Sequence, residues 1–334
     1  MKTTSFKLPC ISVLAIILLG CGYHDEEHER NILNGLLVNE EYGALETALS
    51  KANKKYALEK LSPNILAARF RALADINADN IIVRFDSWVE KKDSGNAHLA
   101  RGMFLLVQAW EARGSTLAAE TSDAQFNAFR KLATRAKADL VIASEKLTGC
   151  ALCAGELIVA NRALGGLSDE SASLLETAIR YDPYMERPVL NFFPNLFPQW
   201  GGSFGEMESF ISAMRNKVKD PAIIDELESR MCWERGRFAE QEKNSSLTLE
   251  WYQRGVNAHP YDMLMKNLAE IYSKNGDHQQ AAEILEKNIV ANGEWDLYTT
   301  EALAQAYYAL GENKKGDKMM KKRDELQRRY NAFE

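Results

Sequence analysis

The chain has 334 residues, of which 46% are hydrophobic and 26% charged, and its formal net charge is −6. These proportions fit a well-filled globular or elongated helical body and exclude a disordered or collagen-like chain. No basic stripe points to nucleic acid, which is not expected as a partner.

Lys2 and Lys7 precede an apolar run from Ile11 to Leu19, interrupted only by Ser12. The run is shorter than the ~20 residues that a membrane-spanning helix needs. A charged start, an apolar middle and small residues at the end have the form of an export signal. The run closes with Leu18-Leu19-Gly20-Cys21, which resembles the lipobox of bacterial lipoproteins. That resemblance implies cleavage before Cys21, diacylation of its sulfur and acylation of its new amino group. Several acyl chains on one cysteine anchor a protein stably to a membrane. The next residue is Gly22. An aspartate there would resemble an inner-membrane retention signal, so the expected location is the inner leaflet of the outer membrane, facing the periplasm.

Cleavage at residues 1–20 removes two of the 41 Lys and Arg residues and none of the 47 acids, which leaves a formal charge of −8. Residues 21–29 are expected to be the lipidated cysteine and a short acidic tether. Extended chain reaches only about 3.4 Å per residue, so the body should sit close to the membrane. His24 and His28 in this tether are read as solvated, with no metal site. The body is expected to divide into a helical domain over 30–220 and repeats over 221–334.

Periodicity along the body is helical almost throughout. Ile32, Leu33, Leu36 and Leu37, then Leu45 and Leu49, recur at helix spacing. Residues 79–89 come nearest to a strand, yet Ile82, Phe85 and Val89 also share one helix face. Residues 97–112 predict a helix stopped by Gly114, and residues 123–147 a long amphipathic helix stopped by Gly149. No alternation of period two is long enough to build a sheet, so the fold class is all-α.

The C-terminal third carries a repeat. Leu268-Ala269, Tyr272, Gly276-Asp277, Ala281 and Leu285 resemble a tetratricopeptide repeat, and Leu303-Ala304, Tyr307 and Gly311 match the same positions 35 residues later. Gly316 stands where the pattern expects alanine, which suits a terminal unit. Leu249 to Val256, followed by Pro260 and Asp262, resemble the closing helix of an earlier repeat. The resemblance implies an α-solenoid of stacked antiparallel hairpins, since one hairpin cannot bury its own face.

Residues 84–217 resemble a family of exported bacterial helical proteins of unknown function. The resemblance rests on Phe85, Trp88-Val89, Ala100-Arg101-Gly102, Ala109-Trp110, Arg113-Gly114, Asp182-Pro183-Tyr184 and Trp200-Gly201-Gly202-Ser203. It supports a helical fold and supplies no mechanism.

Candidate chemistry is sparse. Gly201-Gly202-Ser203-Phe204-Gly205 matches the serine-hydrolase elbow in form, but that elbow needs a strand before the serine. Pro194 and Pro198 forbid one. Ser203 with Glu206 reads instead as a helix-capping pair. With Cys10 lost in the signal, Cys150 and Cys153 are candidates for a disulfide in an oxidising compartment. A structural staple is favoured over redox chemistry, because no βαβ context surrounds them. Cys232 is then left over and is expected to be buried. Phe192, Phe193, Phe197, Trp200, Ser203 and Phe204 form the candidate binding loop, with a core plug joining the central helices to the repeats as the favoured alternative. His98 and His278 read as isolated. No catalytic residue, metal site or cofactor is assigned.

The expected function is binding, by a helical-repeat scaffold or assembly factor of the cell envelope whose partner is another envelope or secreted protein. An immunity protein against a secreted toxin is the alternative, and a cell-wall or lipid hydrolase a weaker one. Asn267, Glu270, Lys274, Glu301 and Gln305, polar residues beside the packed positions of the repeat, are the candidate contacts. Oligomeric state is left open.

Overall fold

The computed structural model describes residues 24–58, 62–78, 80–114, 120–165, 169–292 and 295–331. Cys21 and the lipobox-like residues before it lie outside them. Among the described residues the chain folds into sixteen α-helices and no strand, so the fold is all-α. The N-terminal helices are α1 (His24–Val38), α2 (Tyr42–Ala57), α3 (Pro63–Ala74), α4 (Ile81–Lys92), α5 (Gly95–Arg113) and α6 (Asp123–Lys146). The central ones are α7 (Ala151–Gly165), α8 (Asp169–Tyr181), α9 (Glu186–Phe192) and α10 (Phe204–Met214), with two 3-10 turns between α9 and α10. The C-terminal ones are α11 (Pro221–Gln241), α12 (Ser245–Ala258), α13 (Asp262–Lys274), α14 (His278–Asn292), α15 (Leu297–Ala309) and α16 (Asn313–Asn331).

Local sequence starts these helices where it should. Ser62, Ser94, Ser122, Ser203, Asp220, Asn244 and Asp296 each accept a backbone N–H of the first turn. Such a cap satisfies a donor that the helix itself cannot pair. Proline at the first position reinforces α3 and α11. One expectation changes and one open reading is decided for the helix. The acidic segment read as a tether is helical from His24 onward, and Glu29 pairs with Arg69 of α3 at 2.5 Å. The strand-like residues 81–89 lie in α4, which buries Ile81, Phe85 and Trp88 and leaves Val83 exposed.

Among the described residues three large apolar cores follow one another along the chain, and a small fourth joins Ala109, Phe129, Ala133 and Ala163. The first runs from Leu33 to Met185 and packs α1 through α8 around Phe70, Phe85, Trp88 and Leu105. The second runs from Ile158 to Met231 and holds Phe192, Phe193, Leu196 and Phe197 against Met207, Ile211, Ile224 and Leu227. The third runs from Tyr252 to Met319 and belongs to the C-terminal hairpins. The second core crosses the expected 220/221 boundary, because α11 contributes Ile223, Ile224, Leu227 and Met231 to it. Residue 220 is therefore a helix start within continuous packing.

The C-terminal part is three antiparallel hairpins, α11/α12, α13/α14 and α15/α16. Gly276 and Gly311 close α13 and α15 at equivalent positions with φ of +81° and +77°, a region that only glycine enters at no steric cost. Leu268, Ala281 and Leu285 are fully buried between the helices, as the repeat pattern requires. The first hairpin is held by glycine at close contacts. A Cβ on Gly236 would overlap the Tyr252 ring, and one on Gly255 would come within 2.9 Å of the Cys232 Cβ. Gly316, the departure from the pattern, lies under the Tyr308 ring where no Cβ fits.

Candidate functional site

The aromatic segment 192–204 divides in two. Phe192, Phe193 and Phe197 are core, with Phe193 edge-on to Phe197 and beside Phe210. They are not available to a ligand, which corrects the recognition-loop reading for these three residues. Trp200 is different: it is the last residue of the second 3-10 turn and stays 55% exposed. Gly201 follows at φ +93°, and Gly202 packs on the Leu196 backbone so closely that a Cβ would overlap it. This turn throws the chain into α10.

Ser203 is the N-cap of α10. Its Oγ accepts the Glu206 N–H at 3.2 Å and donates to the Glu206 carboxylate at 2.7 Å. The hydroxyl is thus engaged with its own helix, and the residues before it are 3-10 turns instead of a strand. The expected reciprocal capping is only half formed, since Glu206 takes the Ser203 hydroxyl instead of its backbone N–H. Phe204 sits half-buried beneath the Arg235 guanidinium, 4.6 Å from its ring, and edge-on to Phe238.

Trp200 stands at one end of a surface formed by the first helices of the hairpins. Arg237 of α11 donates to Gln199 at 3.4 Å and lies 4.9 Å over the ring of Trp233. Trp233 Nε1 donates to Asn267 Oδ1 of α13 at 2.9 Å. Lys266 of α13 bonds Asp262 at 2.9 Å and Asp296, the cap of α15, at 3.1 Å, and sits 6.0 Å over Tyr298. Burial draws the Lys266 pKa down, but the two carboxylates outweigh it and hold the ammonium above its ordinary range. Asp296 is depressed in turn: the Thr299 hydroxyl and N–H and the Lys266 ammonium together outweigh its burial. The 199–200 turn, α11, α13 and α15 are thus tied side by side through polar bonds.

The candidate contacts share this surface unequally. Glu270 and Lys274 form an exposed pair at 2.7 Å, and Gln305 is exposed one hairpin further on. Glu301 reaches Arg323 of α16 at 3.3 Å, so it serves its own hairpin. Asn267 is a half-buried tie between helices and not a free contact. Met263, Tyr298 and Tyr308, which the sequence reading passed over, are the exposed apolar groups of α13 and α15.

Cys150 and Cys153 are joined by a disulfide at the start of α7. Cys150 caps that helix, its sulfur accepting the Cys153 N–H at 3.0 Å, and Cys153 is fully buried. Cys232 is buried as expected, and burial pushes its thiol up to about 11.

Two further features escaped the sequence. A cleft of about 1080 Å³ opens between the end of α2, the start of α3, the α6–α7 turn and the α8–α9 turn. Its walls include Lys54, Lys146, Cys150, Tyr181, Tyr184 and Lys219. At its base Tyr56 donates to Asp182 at 2.5 Å, and burial together with that carboxylate raises the phenol far above its ordinary range. Behind the cleft, His98 is not isolated. Its ring lies between Asp139 at 2.7 Å and Asp93 at 3.0 Å, and Arg101 clamps Asp139 through two bonds of 2.8 and 2.6 Å. Lys146 and, after it, His98 hold the exposed Asp93 carboxylate below its usual range. Partners 38 and 41 residues apart leave no local pattern to read. No protein-family model and no curated protein matches this chain.

Proposed function

We propose that this protein is a lipid-anchored envelope protein that binds a polypeptide partner along the first-helix surface of α11, α13 and α15. The observation that carries the reading is the set of ties along these helices, from Gln199, next to exposed Trp200, through Arg237 and Trp233 to Asn267, and from its neighbour Lys266 to Asp296 and Tyr298. Exposed aromatic groups beside fixed cations are the residue types that dominate protein recognition. Stacked hairpins offer such a row as an extended platform whose backbone is already ordered, which lowers the entropic cost of binding. The anchor at Cys21 and the outer-membrane location belong to the same proposal and rest on the lipobox. Together they limit the partner to envelope or secreted proteins.

Site-specific photocrosslinking in cells tests the reading. Probes replacing Tyr298 and Gln305 should capture one dominant protein. A probe at Val290, which is 84% exposed on the second-helix side, should capture none. Equal capture from all three positions would overturn the surface assignment. Mass spectrometry of the captured band then separates a membrane-machine subunit from a secreted toxin.

A further inference from the structure

The terminal helix α16 is charged unlike the rest of the chain. It carries eight Lys and Arg residues against three acids, in a protein whose net charge is −6. Lys314, Lys318, Lys321 and Arg328 recur at i, i+4, i+7 and i+14, which places them on one face. The stripe is about 21 Å long at 1.5 Å per residue. The other face is spoken for: Gly316 and Met319 pack on α15, and Arg323 bonds Glu301. Lys314, Lys318, Lys321 and Lys322 have no ion pair among the described residues.

A capping helix needs only a polar outer face. Like charges one turn apart cost stability, so solubility alone would favour mixed signs. Here Glu325 is the one acid within the stripe. Beside it Trp295, 37% exposed, walls a dent of about 370 Å³ together with Lys318, Lys321 and Lys322, and Lys322 lies 5.9 Å over the indole. A row of ammonium groups with an adjoining amphipathic indole matches the interface of an anionic bilayer, where headgroups are negative and indoles settle at the boundary. We infer that the α16 stripe and Trp295 form a docking surface for anionic phospholipid headgroups. The basic stripe lies on a different helix from the polypeptide platform, which it adjoins at Trp295, and is independent of the reading of Cys21.

The test uses the chain from Gly22 onward, which holds every described helix and no acyl chain. Its binding is measured by co-sedimentation with vesicles of phosphatidylglycerol and phosphatidylcholine, and with phosphatidylcholine alone. Binding to the anionic vesicles only, lost on raising salt, is expected. Lys318→Gln and Lys321→Gln should each weaken it about fivefold, and tryptophan fluorescence should shift to the blue on binding in the parent but not in Trp295→Phe. Both lysines are exposed and unpaired, so the variants should keep the parent melting temperature. Equal binding to neutral vesicles, unchanged binding in the variants, no binding, or binding to duplex DNA without vesicle binding would each overturn the inference.

Discussion

Trp233 Nε1 donates to Asn267 Oδ1 at 2.9 Å, and this bond ties the first helix of one hairpin to the first helix of the next. It explains why a polar residue beside the repeat's packed positions turns inward instead of toward a ligand. Removing the acceptor strands an indole N–H in a half-buried seam. Asn267→Ala should therefore cost about 1–3 kcal/mol, the range for an unsatisfied buried donor. Urea denaturation of Asn267→Ala, Trp233→Phe and the double variant measures it. A coupling energy of zero in that cycle would remove the bond from the account of how the hairpins stack.

The two halves of the aromatic segment should respond oppositely to truncation. Phe193 is fully buried, and Phe193→Ala is expected to lose about 3–5 kcal/mol. Trp200→Ala, at an exposed position, should change stability by no more than about 0.5 kcal/mol. On the proposed function it should nonetheless reduce partner capture from the probe at Tyr298. A Trp200 variant that melts early would place the indole in the core after all.

What was legible in the sequence follows from where the information is local. Helix periods, serine and aspartate caps and the paired Gly276 and Gly311 all depend on neighbours within a few residues, so the all-α fold and the hairpins could be read directly. The earlier hairpin was half legible. Pro260 and the 249–256 helix marked its end, but its defining contacts are Gly236 on Tyr252 and Gly255 on Cys232, which join residues 16 and 23 apart and follow no helix period. Candidate contacts were placed by helix face alone. That cannot separate Gln305, which is free, from Asn267, which a tryptophan 34 residues away occupies. The cleft and the His98 cluster join segments far apart in the chain, and no periodicity reports such a meeting. The basic stripe of α16 was visible in the letters, but whole-chain acidity hid it.

Asp139 anchors the largest buried charge cluster of the N-terminal part. It is 4% exposed, accepts two bonds from Arg101 and one contact from His98, and shares Arg101 with Asp86. Asp139→Ala would leave the guanidinium with only the more exposed Asp86 at 3.0 Å. Breaking a buried pair from one side costs about 3–5 kcal/mol. The loss should fall on α5 and α6, and hydrogen exchange should show these helices opening before α13 to α16. Uniform loss of protection along the whole chain would instead mean that the cores unfold as one unit.

Glu234 lies buried on α11, with Arg237 as its ion-pair partner at 3.3 Å. Burial raises its carboxyl above the ordinary 4.5, and the Arg237 charge and hydrogen bond offset only part of that. The sign of the stability effect follows from linkage. Below pH 4.5 the acid is protonated in both folded and unfolded chains and costs nothing. As pH rises, the unfolded chain ionises first, and stability falls until the folded acid has ionised too. Glu234→Gln keeps the shape and an acceptor for Arg237 but cannot ionise. It should match the parent near pH 4 and exceed it at pH 7, with the gap opening above pH 4.5 and then levelling off. Urea midpoints of both proteins across pH 4 to 8 measure that gap. A gap that stays constant with pH would show that the Arg237 pair offsets the burial in full, and one that opens with the parent more stable would show that it outweighs it.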